Sequence, residues 1–212
     1  MNDVMSYLPT LLRGLGMSFL LLLALVAIGT PLAFLLAVAQ RSRFSGIRWI
    51  AIAFIEIARG IPSLILLYLV YFGLPSVNLS LSSFTAAAIG LGINYAGYVS
   101  ETVKSGLDAV PRGQTEAAAA LGLGRGNVTR FVTIPQSVRI ITPPFLSWII
   151  VYFQTTSIAF AIAVPELMSA AYSVANANFQ YLTLFIIAGL LYAIISIPGS
   201  QLTSVLERKR SR

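Results

Sequence analysis

The chain has 212 residues, 57% hydrophobic and only 10% charged, with a mean hydropathy of +0.85 and a net charge of +7. Soluble domains carry roughly a quarter charged residues, so this composition belongs in a bilayer. The excess positive charge lies at the ends of apolar stretches rather than along one face, which argues against a nucleic-acid partner. The absence of cysteine and histidine excludes disulfides, thiol chemistry, the common zinc sites and a histidine switch near neutral pH.

A membrane span needs about 20 apolar residues. Residues 14–39 supply the first, with a kink expected at Pro31. It ends in Ala37-Val38-Ala39, which has the form of a cleavage site. Signal-peptide apolar regions have only about 7–15 residues, so a retained helix is expected. The uncharged run 60–100 is too long for one span and contains the turn-rich sequence Gly73-Leu74-Pro75-Ser76-Val77-Asn78. It divides into a second span over 49–72 and a third over 84–107. The fourth is expected to start at Pro143-Pro144, residues suited to a first helical turn, and to run to Val164. The polar stretch Ser173–Gln180 then separates it from a fifth span over 181–206. The expected fold is a single all-α transmembrane domain of five helices.

Between the third and fourth spans lies a polar hairpin over 111–139. The alanine run Ala117–Ala120 favours a helix, and Gly122 suits the left-handed residue that closes one. Asn127 is placed to cap a second short helix, which Pro135 is expected to stop. Charge then sets the orientation. Arg41, Arg43 and Arg48 lie in the first loop, while Lys104, Arg112, Arg125, Arg130 and Arg139 lie in or beside the third. Arg208, Lys209, Arg210 and Arg212 form the tail, and the second and fourth loops contain no Lys or Arg. The positive-inside rule therefore puts the N-terminus outside and both the hairpin and the C-terminus in the cytoplasm, with only Arg13 opposed.

Nothing in the sequence points to ATP hydrolysis on this chain. Gly122-x-Gly124-x-Gly126 lacks the Gly-Lys-Ser/Thr ending and the preceding strand of a phosphate loop, so a turn between helices is the expected reading. Ionisable groups within a membrane are costly and mark transport paths or structural pairs. At 1.5 Å per residue, Arg59 and Asn94 each lie about 15 Å deep, and Glu101 about 9 Å from the inner end. Transporter sites lie beside interrupted helices, and Arg59-Gly60-Ile61-Pro62 supplies both an interruption and a cation. Arg59 either faces a cavity and binds a carboxylate or is neutralised by Glu56 or Glu101. Asn94 shares a face with Gly97 and Glu101, and bonds either substrate or a neighbouring helix. Glu101 with Lys104 has the spacing of an intrahelical pair. Gln154-Thr155-Thr156-Ser157 cannot all point one way, so part of the cluster is expected to line a cavity, although any one hydroxyl can bond its own backbone.

These motifs carry a family resemblance. Glu116, Ala117, Ala118, Gly122, Val132, Ile134 and Pro135 resemble the EAA signature of importer-type ABC permeases. Glu56-x-x-Arg59-Gly60-x-Pro62, Asn94-x-x-x-Tyr98-x-x-Glu101, Pro111-x-Gly113-Gln114, Leu121-Gly122, Thr156-Ser157 and Val164-Pro165-Glu166-Leu167 extend it along nearly the whole chain. Together they resemble permeases of the polar amino-acid uptake family. The resemblance implies a type I ABC importer permease in a bacterial inner membrane. Its partners would be an ATP-binding subunit dimer holding ATP and Mg, a second permease, identical or homologous, and an extracytoplasmic binding protein. It also implies a coupling helix over 113–121, with Gly113, Glu116, Ala117, Ala118, Ala119, Leu121, Gly122 and Pro135 as coupling residues.

Three departures fall where substrate is expected. Gln154-Thr155 stands where the family has Lys-Asp, Tyr95 replaces a small residue, and Ile61 replaces threonine. They imply a less charged, narrower pocket and disfavour a cationic amino acid. Two other classes remain. A stand-alone ion-coupled transporter calls for inverted repeats and paired acids on the path, and no internal repeat is visible. A non-transporting scaffold accounts for the hairpin but leaves Arg59, Asn94 and residues 154–157 without a role.

Overall fold

The computed structural model describes the backbone of residues 2–210 and the side chains of residues 6–124 and 126–205. The side chains of Arg125 and of the basic tail Arg208, Lys209, Arg210 and Arg212 lie outside the described set. Helix α1 (Asn2–Ala39) contains Pro9 and Pro31, and α2 (Ser45–Gly60) follows a short turn. Helix α3 (Ser63–Tyr68) runs on through a π turn and a 3₁₀ turn to Val77, where Asn78 takes a left-handed conformation. The remainder comprises α4 (Ser83–Asp108), α5 (Arg112–Ala120), α6 (Arg125–Val128), α7 (Ile134–Thr155), α8 (Leu167–Asn178) and α9 (Tyr181–Arg210).

Helix α4 occupies the middle. More than half of its residues are buried, many of them Ala or Gly. Ser82 opens it by accepting the Thr85 N–H at 3.1 Å, as a helix start requires. Leu21, Leu25, Ala33 and Ala37 of α1 meet Ala87, Leu91, Ala96 and Val99 of α4 in the main core. The two backbones come close because glycines face each other. A β-carbon on Gly29 would lie 2.6 Å from the Gly92 carbonyl oxygen, and one on Gly92 would lie 3.2 Å from that of Leu25. Further along, Gly106 is packed under Ile141 of α7. Such small-residue contacts are how helices associate where lipid removes the hydrophobic drive.

Large apolar side chains instead cover the outside, among them Leu23, Leu35, Val38, Ile50, Leu182 and Ile194. Segments Ser6–Ala39, Gly126–Ile162 and Tyr181–Val205 are long and apolar enough to cross a membrane, as is the bent pair Ser45–Gly60 with Ser63–Val77 taken as one span. Helix α4 has the length, about 39 Å at 1.5 Å per residue, but not the apolar composition. Being wrapped by its neighbours, it does not need it.

Several sequence expectations change. One that holds is the interruption at Arg59-Gly60-Ile61-Pro62: within 49–72 two helices meet at 105° across Ile61-Pro62. Proline has no N–H for the ladder and disfavours a helical residue before it. Pro143-Pro144 do not start a helix; they lie inside α7, which begins at Ile134. Buried prolines are tolerated within membrane helices because neighbouring side chains satisfy the freed carbonyls. Pro135 stops nothing: it follows the π turn Thr129–Thr133, and the helical chain runs through it from Gly126 to Ile162. Asn127 lies within α6 instead of capping it. The polar stretch from Ser173 is largely helical, being the end of α8.

Glu166 joins three helices although it is fully buried. Its carboxylate caps α8 by accepting the Met168 and Ser169 N–H groups, both at 2.8 Å. It also accepts from Tyr192 of α9 at 2.9 Å and lies 3.4 Å from the Ser18 hydroxyl of α1. That hydroxyl in turn accepts the Leu167 N–H at 3.2 Å.

Two stability predictions follow from this packing. Gly29→Val should separate α1 from α4, whereas Gly16→Val, whose β-carbon meets nothing within 4 Å, should be neutral; thermal unfolding in detergent would compare them, and equal melting temperatures would contradict the close approach. Glu166→Ala leaves two helix N–H groups unpaired and the Tyr192 hydroxyl with only the 3.4 Å contact to Ser18, at a cost of about 2–3 kcal/mol. That corresponds to a fall in Tm of roughly 5–10 °C, and a melting temperature within a degree of the parent would contradict it.

Candidate functional site

Two regions contain the residues singled out by sequence. The first is the hairpin. Its helix α5 buries only Ala118, leaving Gly113, Glu116, Ala117 and Ala119 uncovered. Gly122 closes α5 at φ +83°, its N–H bonding Ala119 O at 2.9 Å while the Leu123 N–H reaches Ala118 O at 3.2 Å. This pair of bonds is the glycine-dependent helix ending, as the sequence implied. Leu121 beside it is 84% exposed, and Phe131 is 63% exposed with the Arg130 guanidinium 5.5 Å from its ring centroid. From Gly126 the chain continues as one helical stretch to Ile162, so the hairpin is joined directly to a long apolar helix. A π turn at Thr129–Thr133 and a 3₁₀ turn at Thr156–Ile162 mark the two ends of that stretch.

The second region is a groove of about 450 Å³ between α2, α4 and α7. Arg59, Tyr98, Glu101, Thr102, Ser105 and Trp148 line it, with Gly106, Ala109, Ile140 and Pro144. Arg59 reaches it because α2 ends one residue later at the bend. Gly97 leaves room for its stem, with a β-carbon there only 3.0 Å from Arg59 Cγ. The guanidinium lies 5.5 Å from the Tyr98 ring centroid, and Tyr98 donates to the Arg59 carbonyl at 3.2 Å. Its ion pair with Glu56 is loose, one contact at 3.9 Å to a carboxylate 68% exposed. Glu101 lines the same groove but makes no ion pair among the described residues, so the expected pairing with Lys104 is not formed. The Trp148 indole N–H donates to Thr102 at 3.0 Å and fixes the far wall.

Asn94 is not in this groove. Buried beneath it, Asn94 donates to the Ala58 carbonyl at 2.6 Å and accepts from the Tyr152 hydroxyl at 2.6 Å. It thereby ties α4 to α2 and α7. Tyr95 also stays out of the groove. It is fully buried against Gly29 of α1 and packs edge-on to Tyr152 with centroids 5.0 Å apart. The large residue at this position is accommodated by the bare backbone of α1, and it narrows nothing.

The cluster 154–157 separates. Thr155, Thr156 and Ser157 bond the carbonyls of Val151, Phe153 and Gln154 at 2.6 to 2.8 Å, within their own helical turns. Gln154 alone faces a cavity, a smaller groove of about 260 Å³ between α7 and α9 that it shares with Ser147, Ser196 and Ser200. Pro135 sits at the base of the hairpin, and among the described residues no cluster of acids could hold a metal ion. Sequence reasoning gave Tyr152, Trp148 and Glu166 no individual role. An acid in an apolar region was the available signal for Glu166, whereas the two aromatics look like any others in a membrane helix.

Comparison with known proteins connects these regions to a family. Residues 29–212 match the family described as "Binding-protein-dependent transport system inner membrane component". The chain is 33% identical to the probable amino-acid ABC transporter permease protein YckA of Bacillus subtilis, over 95% of this chain and 89% of that one. It is 32% identical to the arginine transport system permease protein ArtQ of the same organism, over 95% and 93% of the two chains. Among solved structures, an amino acid ABC transporter crystallised with histidines superposes with a TM-score of 0.92 at 31% identity, covering 98% of this chain and 97% of that one. The MetNI methionine ABC transporter in an inward-facing conformation shares the fold at a TM-score of 0.70 and 21% identity, covering 97% and 99%. With most of its length matched in sequence and its helices superposed on such a permease, the chain belongs to the family of binding-protein-dependent transport system inner membrane components, among the amino-acid ABC transporter permeases, and is a transport component rather than an enzyme.

Proposed function

We propose that this chain forms the translocation path of an ATP-driven amino-acid importer in a bacterial inner membrane and is driven through its cytoplasmic hairpin by a separate ATPase. The observation that carries this reading is the mechanical continuity of the hairpin with the stretch Gly126–Ile162. Force on α5 passes through the tight turn at Gly122 into α6 and along α7, whose middle forms one wall of the Arg59–Glu101 groove. The uncovered face of α5 is rich in alanine, which allows close approach by a partner, and Leu121 and Phe131 offer apolar anchors beside it. Gly113, Glu116, Ala117, Ala118, Ala119, Leu121, Gly122 and Pro135 are the coupling residues in this scheme.

The partners are an ATP-binding subunit dimer carrying ATP and Mg, a second permease that is identical or homologous, and an extracytoplasmic binding protein; the N-terminus lies outside. The substrate path runs by Arg59 and Glu101, with Asn94 holding the three helices around it. Gln154 borders the path on the α9 side, with Thr155, Thr156 and Ser157 shaping the turn beyond. Relatives are named for different solutes, arginine for ArtQ and glutamate and aspartate for GltK of Escherichia coli. That variety supports an amino-acid class without choosing a member.

Gly122→Leu forces a branched side chain into a left-handed backbone at about 1–2 kcal/mol and should re-aim the hairpin. It should lower ATP-driven uptake at least tenfold while leaving membrane insertion intact, as should Glu116→Lys; unchanged uptake in both variants would overturn the coupling role. Purification from the native membrane should recover an ATPase subunit with the permease. In the presence of the binding protein, ATP hydrolysis by that assembly should rise severalfold with one amino acid of a panel; solute movement by the isolated chain without ATP would refute the scheme.

A further inference from the structure

The groove between α2, α4 and α7 has charge on only two of its lining side chains, Arg59 and Glu101, one of each sign. Neither is used up by the protein. Among the described residues the guanidinium of Arg59 has the Tyr98 ring at 5.5 Å and one ion pair, the 3.9 Å contact to Glu56, which does not line the groove. Glu101 makes neither an ion pair nor a hydrogen bond among the described residues. The Arg59 side chain is 34% exposed and lines the groove, so an anionic group there meets a cation held only by that loose pair.

Of the other polar groups, the Tyr98 hydroxyl donates to the Arg59 carbonyl and the Ser105 hydroxyl makes no hydrogen bond among the described residues. The Thr102 hydroxyl accepts from Trp148 and donates to the Tyr98 carbonyl at 3.4 Å. Beyond the two charges and the hydroxyls of Tyr98, Thr102 and Ser105, the walls are Gly106, Ala109, Ile140, Pro144 and the Trp148 ring. These offer a substrate side chain apolar contact and no counter-ion. The volume of about 450 Å³ is within the range of small-molecule sites.

We infer that the groove takes a zwitterionic amino acid with an uncharged, apolar side chain, its carboxylate on Arg59, its ammonium on Glu101 and its side chain against Ile140, Pro144 and Trp148. This rests on the reading of the groove as the substrate path. The two charges of a zwitterion match the two charges of the groove. A basic or acidic side chain would bring a third charge to walls that hold no further ion to pair with it, which is unfavourable.

Trp148 makes the inference measurable, since Trp49 is the only other tryptophan of the chain and lies 63% exposed on α2. The full chain with Trp49→Phe, purified in lipid nanodiscs with any subunits that accompany it, would be titrated with leucine, methionine, arginine and glutamate while Trp148 emission is followed. Leucine and methionine should give saturable changes, with arginine and glutamate at least tenfold weaker. Glu101→Gln and Arg59→Gln, nearly isosteric or shorter, should each abolish the leucine response. Ser105→Asp, which adds a second acid to the groove wall, should shift the preference at least tenfold toward arginine. Tighter binding of arginine or glutamate by the parent chain would overturn the apolar side-chain assignment while leaving the groove as the substrate site. No response to any of the four ligands, in a preparation that is helical by circular dichroism and monodisperse, would overturn the groove itself as that site. A leucine response that survives both charge-removing variants would refute the roles given to Arg59 and Glu101.

Discussion

The close approach of α4 to α1 is the constraint on which the other helices depend. In lipid the apolar environment does nothing to drive one helix against another, so association requires dense contact and satisfied polar groups. Facing glycines at 29 and 92 bring the backbones together, and the space this opens on α1 is filled by the ring of Tyr95. With α4 thus enclosed, its asparagine, serines and glycines cost nothing in lipid exposure and become available as joints. Asn94 is the clearest of them, holding α2 and α7 to α4 through two bonds of 2.6 Å.

The position of the groove is a consequence of that joint. By tying the Ala58 carbonyl, Asn94 fixes the end of α2 just before the chain turns by 105°, so that Arg59 projects over Tyr98 rather than continuing along a straight span. Tyr152, held by the same asparagine, anchors α7 beneath the groove, and Trp148, held by Thr102 one turn earlier, stands in the opposite wall. A broken helix exposes groups that a continuous one would consume. Glu166 performs a comparable service on the other side, where its carboxylate completes the start of α8 and holds α1 and α9 to it.

The hairpin and the groove differ in how far they could be read in advance. Gly122 was legible because only one residue type takes a positive φ at little cost, and the alanine run before it has one strong local preference. The prolines were misleading for the same local reason. Pro135 and Pro143-Pro144 mark helix boundaries in an isolated segment, yet the structure carries helix past them where neighbouring groups compensate. Tyr95 was expected to crowd a pocket, but its partner is Gly29, 66 positions earlier, and no local pattern connects the two.

By itself the sequence determined the class of environment, the first and last of the apolar segments that can cross it, the exposed polar hairpin and the family, since these follow from composition, run length, local backbone preference and motif spacing. Tertiary structure decided what each polar residue does. Asn94 became a joint, Thr155, Thr156 and Ser157 turned to their own backbones, and Arg59 and Glu101 came to share one groove. The reason is that a polar side chain in a membrane must find a partner, and which partner lies within 3 Å depends on helix crossings that contacts distant in sequence alone establish.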